Sequence, residues 1–304
     1  MKSGRSIGIF QIFCALVFWG TSFGQQSKSF KNFEESKSEA LSSHKLVFLT
    51  FRLDASETIN RLTSDGVSPA NRFSSDDFSP TGVYYGKITG APCMDFNPPT
   101  GLTLKCVFCS VPYDAEAALR SRYYSEDKTA LVFDAFGNEL YAEVCKGRAK
   151  LIQVLQSLPE DASRYYSLLK SLQEHPDSVS LKLALADLCQ IYRCVTASRR
   201  YYDEVEKSHL YKGDSAVSDH VHSHMALNAF LNDDYDEAED LFSDHIKDYP
   251  HSAERSMQLF LLTRISVIKK QKDDATRYYE MLQREFPNDQ HTVWAKNLLD
   301  QYKE

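Results

Sequence analysis

Two groups of side chains in this 304-residue chain have the types and spacing to do chemistry: the pair Cys106-Val-Phe-Cys109, and the alternating triplet His220, His222 and His224. A redox dithiol needs one sulfur held as thiolate, usually by a helix N-terminus or a neighbouring cation. Here the cysteine pair lies inside the apolar run Leu104 to Val111, which reads as a strand. Side chains three apart on a strand point to opposite faces, so a direct disulfide would strain the backbone. Buried cysteines of this kind act as small hydrophobes, which leaves Cys106 and Cys109 as secondary candidates only, and no catalytic residue is expected. His220 and His224 share a helix face and could hold a metal, but no HExxH pattern supplies a carboxylate base. The triplet reads as a solvated histidine face, and no metal or other cofactor is expected.

The remaining chemistry is excluded by pattern. The acidic run Asp233 to Glu237 lacks the glycine and distal glutamate of a calcium loop, and its charge suits a helix N-terminus instead. No phosphate-binding glycine loop, nucleophile elbow or nucleotide fingerprint occurs. A net charge of -7 and a pI near 5.8 provide no basic footprint for nucleic acid.

The elements around these residues divide the chain. Lys2 and Arg5, the apolar stretch Ile7 to Trp19 and the small-x-small site Ser22-Phe-Gly24 predict a signal peptide over 1–24, followed by a linker over 25–38. No later segment is apolar enough to cross a membrane, so the mature protein is expected to be exported, periplasmic or secreted. Cys93, Cys106, Cys109, Cys145, Cys189 and Cys194 would remain after cleavage in a compartment that permits disulfides.

In the C-terminal half an alanine is followed by an aromatic residue four times: Ala162/Tyr166, Ala197/Tyr201, Ala238/Phe242 and Ala275/Tyr279, the last two closed by Pro250 and Pro287. Residues 234–250 (DYDEAEDLFSDHIKDYP) and 271–287 (QKDDATRYYEMLQREFP) align in register. A small alanine lets two helices approach, an aromatic one turn later fills the gap, and proline stops the helix. The spacing predicts stacked helix pairs over 158–304, with first helices at about 178–192, 218–231, 252–270 and 288–303, the last a polar-faced cap.

On these residues the segment resembles the tetratricopeptide repeat, although the early Trp and Leu-Gly positions of that family are blurred. The resemblance implies an α-solenoid in which a peptide lies against the first helices. Carried over by distance from each motif alanine, the implied partner-facing residues are Lys182 and Gln190, His220 and Phe230, and Phe260 and Arg264. For Phe230 and Phe260 a place in the core is the competing reading.

Residues 39–157 alternate apolar runs with helical patterns, predicting an α/β sandwich with strands at Leu46 to Phe51, Leu104 to Val111 and Ala130 to Asp134, and a fourth after the turn at Gly137-Asn138. The order EALSSHKLVFLTF, CVFCSVPYDAEAALRSRYY and TALVFDAFGNELYAEVCKG is similar to the secreted thioredoxin-like fold, with an insertion over about 64–100. The resemblance implies a redox Cys-x-x-Cys where this chain has Ser56-Glu-Thr-Ile59, and a cis-proline where it has Lys128. It also implies an edge strand for Cys145, about three spacings of roughly 4.8 Å from the Cys106 strand and too far for a shared zinc.

The reading is a redox-inactive thioredoxin-like sheet fused to tetratricopeptide-like repeats. It is expected to be a non-enzymatic scaffold with a protein or peptide partner, no nucleic acid and no membrane span after signal cleavage. The rival is a thiol-disulfide oxidoreductase or chaperone-like thioredoxin–repeat protein.

Overall fold

The structure, a computed structural model, describes residues 29–30, 32–52, 105–112, 130–143, 148–208 and 214–302. The expected signal peptide, the 64–100 insertion, Ser56 to Ile59, Lys128, Cys93 and Cys145 lie outside the described residues. The chain is a mixed α/β unit followed by a helical C-terminal part.

Among the described residues the sheet has five strands: β1 (Ser29–Phe30), β2 (Leu46–Arg52), β3 (Cys106–Pro112), β4 (Ala130–Phe133) and β5 (Glu139–Glu143), in the order β1-β3-β2-β4-β5. β1 and β2 run parallel to β3, whereas β4 is antiparallel to β2 and to β5. The linker expected over 25–38 is instead part of this unit. It contributes β1, and α1 (Phe33–Ser43) begins at an Asn32 cap whose side chain accepts from the amides of Glu34 and Glu35. Linker composition hid this, because a two-residue edge strand carries too little pattern to read.

Alternation along the strands builds two cores. Leu46, Phe48, Cys106, Phe108 and Val132 point to one face, while Val47, Leu49, Val107, Cys109 and Leu131 point to the other, where α1 covers them with Phe33 and Ala40. The first face is covered by α2 (Arg148–Ser157) through Val154 and Leu155. That core does not stop at the expected boundary near residue 158. It runs through Leu158, Ala162 and Tyr165 into the first two helix pairs and ends at Val221.

The pairs are α3 (Ser163–Glu174), which docks on the sheet; α4 (Val179–Ile191) with α5 (Val195–Glu206); α6 (Ser215–Leu231) with α7 (Tyr235–Asp248); α8 (Arg255–Ile268) with α9 (Lys272–Glu285); and the closing α10 (Gln290–Tyr302). Ala162, Ala197, Ala238 and Ala275 are fully buried, and Pro250 and Pro287 sit exposed just after the C-caps Tyr249 and Phe286. The aromatic slot differs from expectation in two units. Phe242 and Tyr201 are buried as expected, but Tyr165 and Tyr278 are buried where Tyr166 and Tyr279 were expected, and those two are only half-buried. Positions three and four after the alanine share one helix face, so the repeat fixes the face and local packing selects the residue. α10 also departs from a polar-faced cap, since Val293 and Trp294 are 48% and 47% exposed.

Each of the three pairs turns the same way. Arg193, Asp233 and Lys270 adopt left-handed backbone (φ 55°, 61° and 60°), and the next amides, Cys194, Asp234 and Gln271, bond back to the carbonyls of Cys189, Ala229 and Ser266 at 2.8, 3.0 and 2.8 Å. This six-residue closure is the Schellman turn, normally built with glycine. None of the three positions is glycine, so side chains here carry a steric cost of roughly 1–2 kcal/mol.

Tyr165 and Tyr166 fasten α3 to the sheet. The Tyr165 hydroxyl donates to Asp134 Oδ2 at 3.0 Å, and the Tyr166 hydroxyl donates to the Lys45 carbonyl at 2.8 Å while accepting from the Ala135 amide at 3.0 Å. Tyr165→Phe is expected to lose about 1.5–3 kcal/mol of stability, the usual worth of a hydrogen bond to a charged acceptor, read by urea denaturation. Lys270→Gly, at an exposed left-handed position, should gain up to about 1 kcal/mol in the same assay, after the extra unfolded-state entropy of glycine offsets part of the relieved strain.

Candidate functional site

The helices that open each pair, α4, α6 and α8, stand side by side, and the seam between them is polar where a repeat core is usually apolar. It starts on α4, where Gln190, 7% exposed, donates its Nε2 to the His224 carbonyl and to Asn228 Oδ1, both at 2.9 Å. Asn228 passes the chain on, donating Nδ2 to Ser198 Oγ at 2.9 Å. On the other side of α6, Gln258 of α8 donates to Ser223 Oγ at 2.7 Å, and Ser223 donates to Glu254 Oε2. The buried His245 of α7 bridges Gln258 and the Asp219 carbonyl, at 3.0 Å to each.

At the centre are Asp187 of α4, His220 and His224 of α6, and Glu254, the residue that caps α8. His220 Nε2 lies 2.8 Å from Asp187 Oδ1, which also accepts from the Tyr202 hydroxyl at 2.5 Å. The two imidazole rings are tilted by 36° with centroids 4.1 Å apart. His224 has Gln190 Oε1 2.6 Å from Nδ1 and Glu254 Oε1 3.1 Å from Nε2. Ligand atoms of Asp187, His220 and His224 all lie within 4.8 Å of one another.

The charges in this cluster are set by its own contacts. Burial alone would raise the Asp187 carboxyl, but hydrogen bonds from His220 and Tyr202 outweigh it and hold the group below its usual range. Glu254 is held down in the same way, burial being outweighed by the bonds from His224 and Ser223. The hydrogen bond to Asp187 raises His220, against a smaller opposing effect of burial.

The orientation of Gln190 follows from its partners. Its NH₂ faces the His224 carbonyl, which can only accept, so Oε1 must face His224 Nδ1 and that nitrogen must donate. The second ring nitrogen then confronts the carboxylate of Glu254, and two acceptors cannot face each other at 3.1 Å without a cation on or between them. The seam therefore holds a place for positive charge.

These positions revise the expected site. The triplet is not a solvated histidine face: His220 and His224 turn inward to Asp187, Gln190 and Glu254, and His222 lies against Tyr249 and Glu206. Of the implied partner-facing residues, Gln190 is buried in the seam and Phe230, 8% exposed, belongs to the core beneath the Arg264 guanidinium, which lies 5.2 Å from its ring. Transfer by distance from an alanine finds the helix face but not what the neighbouring first helix covers. Lys182 is half-buried and paired with Glu204 at 3.3 Å. Arg264 is exposed, and Phe260 packs with His291 and Trp294 at the C-terminal end of the same face. Asp187 and Glu254 escaped the sequence reading because neither shares a helix with the histidines they meet.

Cys106 and Cys109 fall in separate cores on opposite faces of the sheet, and burial pushes the Cys106 thiol well above its usual range. Cys189 and Cys194 are free and fully buried between α4 and α5, and burial raises Cys189 to about 12. Buried thiols held protonated are poor nucleophiles.

No protein-family model matches the chain, and no curated protein matches it. Among the described residues, no helix is long and apolar enough to cross a membrane.

Gln190→Ala would strand Asn228 Oδ1 and His224 Nδ1 and remove the second donor of the His224 carbonyl. It is expected to cost about 1–3 kcal/mol in urea denaturation, whereas Lys182→Ala should shift stability by under about 0.5 kcal/mol. Equal effects of the two substitutions would show that the seam is not held by its polar pairing.

Proposed function

We propose that the protein is an exported, non-enzymatic interaction scaffold in which a tetratricopeptide-like array binds an extended peptide or a partner's helix, and a redox-inactive thioredoxin-like sheet positions it. Export rests on the Lys2/Arg5 and Ile7–Trp19 pattern at the N-terminus. The sheet assignment is supported by the strand order β1-β3-β2-β4-β5 with four strands running one way and β4 alone reversed, and its redox silence by Ser56 to Ile59 and Lys128 in place of the dithiol and cis-proline. The repeat assignment is supported by the buried alanines and the turn repeated at Arg193, Asp233 and Lys270.

The observation that carries the reading is the common face of α6, α8 and α10. It presents the exposed Arg264 over the Phe230 ring and, one turn earlier on α8, Phe260 packed with His291 and Trp294, a cation and rings of the kind with which such arrays hold extended chains. Arg264 would pair with a carboxylate or backbone carbonyl of the partner, and Trp294 would take an apolar side chain.

A photo-crosslinking residue placed at Arg264 or at Trp294 in the native host should yield the same discrete adduct. Placed at the outward Arg284, whose side chain is 71% exposed, it should yield none. Equal adducts from Arg284, or none from the other two positions, would sink the groove assignment.

A further inference from the structure

We infer that Asp187, His220, His224 and Glu254 form a binding site for a late first-row divalent cation, of which zinc is the fitting member. The inference goes beyond the scaffold reading and stands whether or not the array binds a partner.

The first argument is the outer contact of His224. A metal-bound imidazole offers the lone pair of one nitrogen and donates the N–H of the other to a fixed acceptor. His224 is prepared in this way: Nδ1 donates to Gln190 Oε1 at 2.6 Å, the glutamine is locked by the His224 carbonyl and Asn228, and Nε2 points at Glu254. A single cation between Nε2 and Oε1 removes the clash of two acceptors.

The second argument is the helix spacing. His220 and His224 are one turn apart, and their tilted rings have centroids 4.1 Å apart. Placing a proton on each to satisfy both carboxylates would set two imidazolium cations with ring centres only 4.1 Å apart. One divalent ion supplies the same charge to both carboxylates while both rings stay neutral.

The third is distance. Bonds of about 2.0–2.2 Å in a tetrahedral site put neighbouring ligand atoms roughly 3.3–3.6 Å apart. The ligand atoms of Asp187, His220 and His224 already lie within 4.8 Å of one another, and Glu254 Oε1 adjoins this group at 3.1 Å from His224 Nε2. Two imidazoles with two carboxylates select zinc and its neighbours over calcium or magnesium, which want oxygen donors throughout. Because the donors come from α4, α6 and the cap of α8, the ion would pin three successive units.

The test is cobalt(II) chloride titrated into the full chain after treatment with chelator, followed by visible absorption. One equivalent of cobalt should bring up the strong d–d bands of a tetrahedral nitrogen–oxygen site, and zinc should abolish them. Asp187→Asn, His220→Gln and His224→Gln, each checked for native circular dichroism, should weaken binding by more than the roughly 10- to 100-fold caused by loss of an outer partner. Zinc should raise the melting temperature of the parent protein and leave that of His224→Gln unchanged. Absence of the bands in the parent protein, bands of equal strength in folded His220→Gln and His224→Gln, or bands dominated by thiolate charge transfer would each overturn the site.

Discussion

The arrangement depends on one buried carboxylate. Asp134 is fully buried at the end of β4 and accepts from the amides of Phe136 and Asn138, from the Asn138 side chain and from the Tyr165 hydroxyl. Three of these bonds shape the turn that brings β5 back beside β4. The fourth comes from the first repeat helix. A buried carboxylate left short of donors would cost several kcal/mol, so the turn and the docking of α3 are not independent choices. The half-buried Tyr166 reinforces the contact through Lys45 and Ala135, and the Ala162 amide bonds to the His44 carbonyl at 2.7 Å. The repeats thus grow from a fixed base, in keeping with the single core that runs from Leu46 to Val221.

From that base, geometry propagates through two repeated devices of different chemistry. Inside each pair the left-handed residue and its back-bonded amide set the angle between helices, a purely local constraint. Between pairs the polar seam sets register. Apolar ridges tolerate small slides, since dispersion is non-directional. Gln190, Asn228, Ser223 and Gln258 do not tolerate them. A shift of one residue would strand several buried donors and acceptors at about 1–3 kcal/mol each, more than the net 0.5–1.5 kcal/mol that each satisfied bond contributes. The seam therefore does more to exclude wrong stackings than to stabilise the right one.

What could be read from residues alone follows the same division. The apolar runs at 46–51 and 104–111 and the alanine-centred helices emerged because burial leaves a periodic trace. The slot aromatics emerged only to the level of a helix face, as Tyr165 and Tyr278 demonstrate. The Schellman turns were invisible because their usual marker is glycine, and Arg193, Asp233 and Lys270 carry no such mark. The seam was hidden for another reason. His220 and His224 were visible as a pair, yet Asp187, Gln190 and Glu254 reach them across helix boundaries, and no periodicity encodes a contact between separate helices.

Charge separates the two ends of the common face. Around Asp187 and Glu254 the polar groups turn inward on one another and leave two acceptors, His224 Nε2 and Glu254, face to face, so this stretch has little to offer a partner and a place for a cation. Beyond Gln258 the face changes character: Arg264 projects to solvent, and Trp294 is half-exposed against Phe260 and His291. Rigid aromatic and arginine side chains of this kind are the ones that carry interface energy. The inner stretch fixes how the units stack, and that stacking decides where Arg264 and Trp294 stand relative to each other. Any ligand long enough to touch both would read the curvature that the seam imposes, which couples the order of the polar cluster to the shape of the surface beyond it.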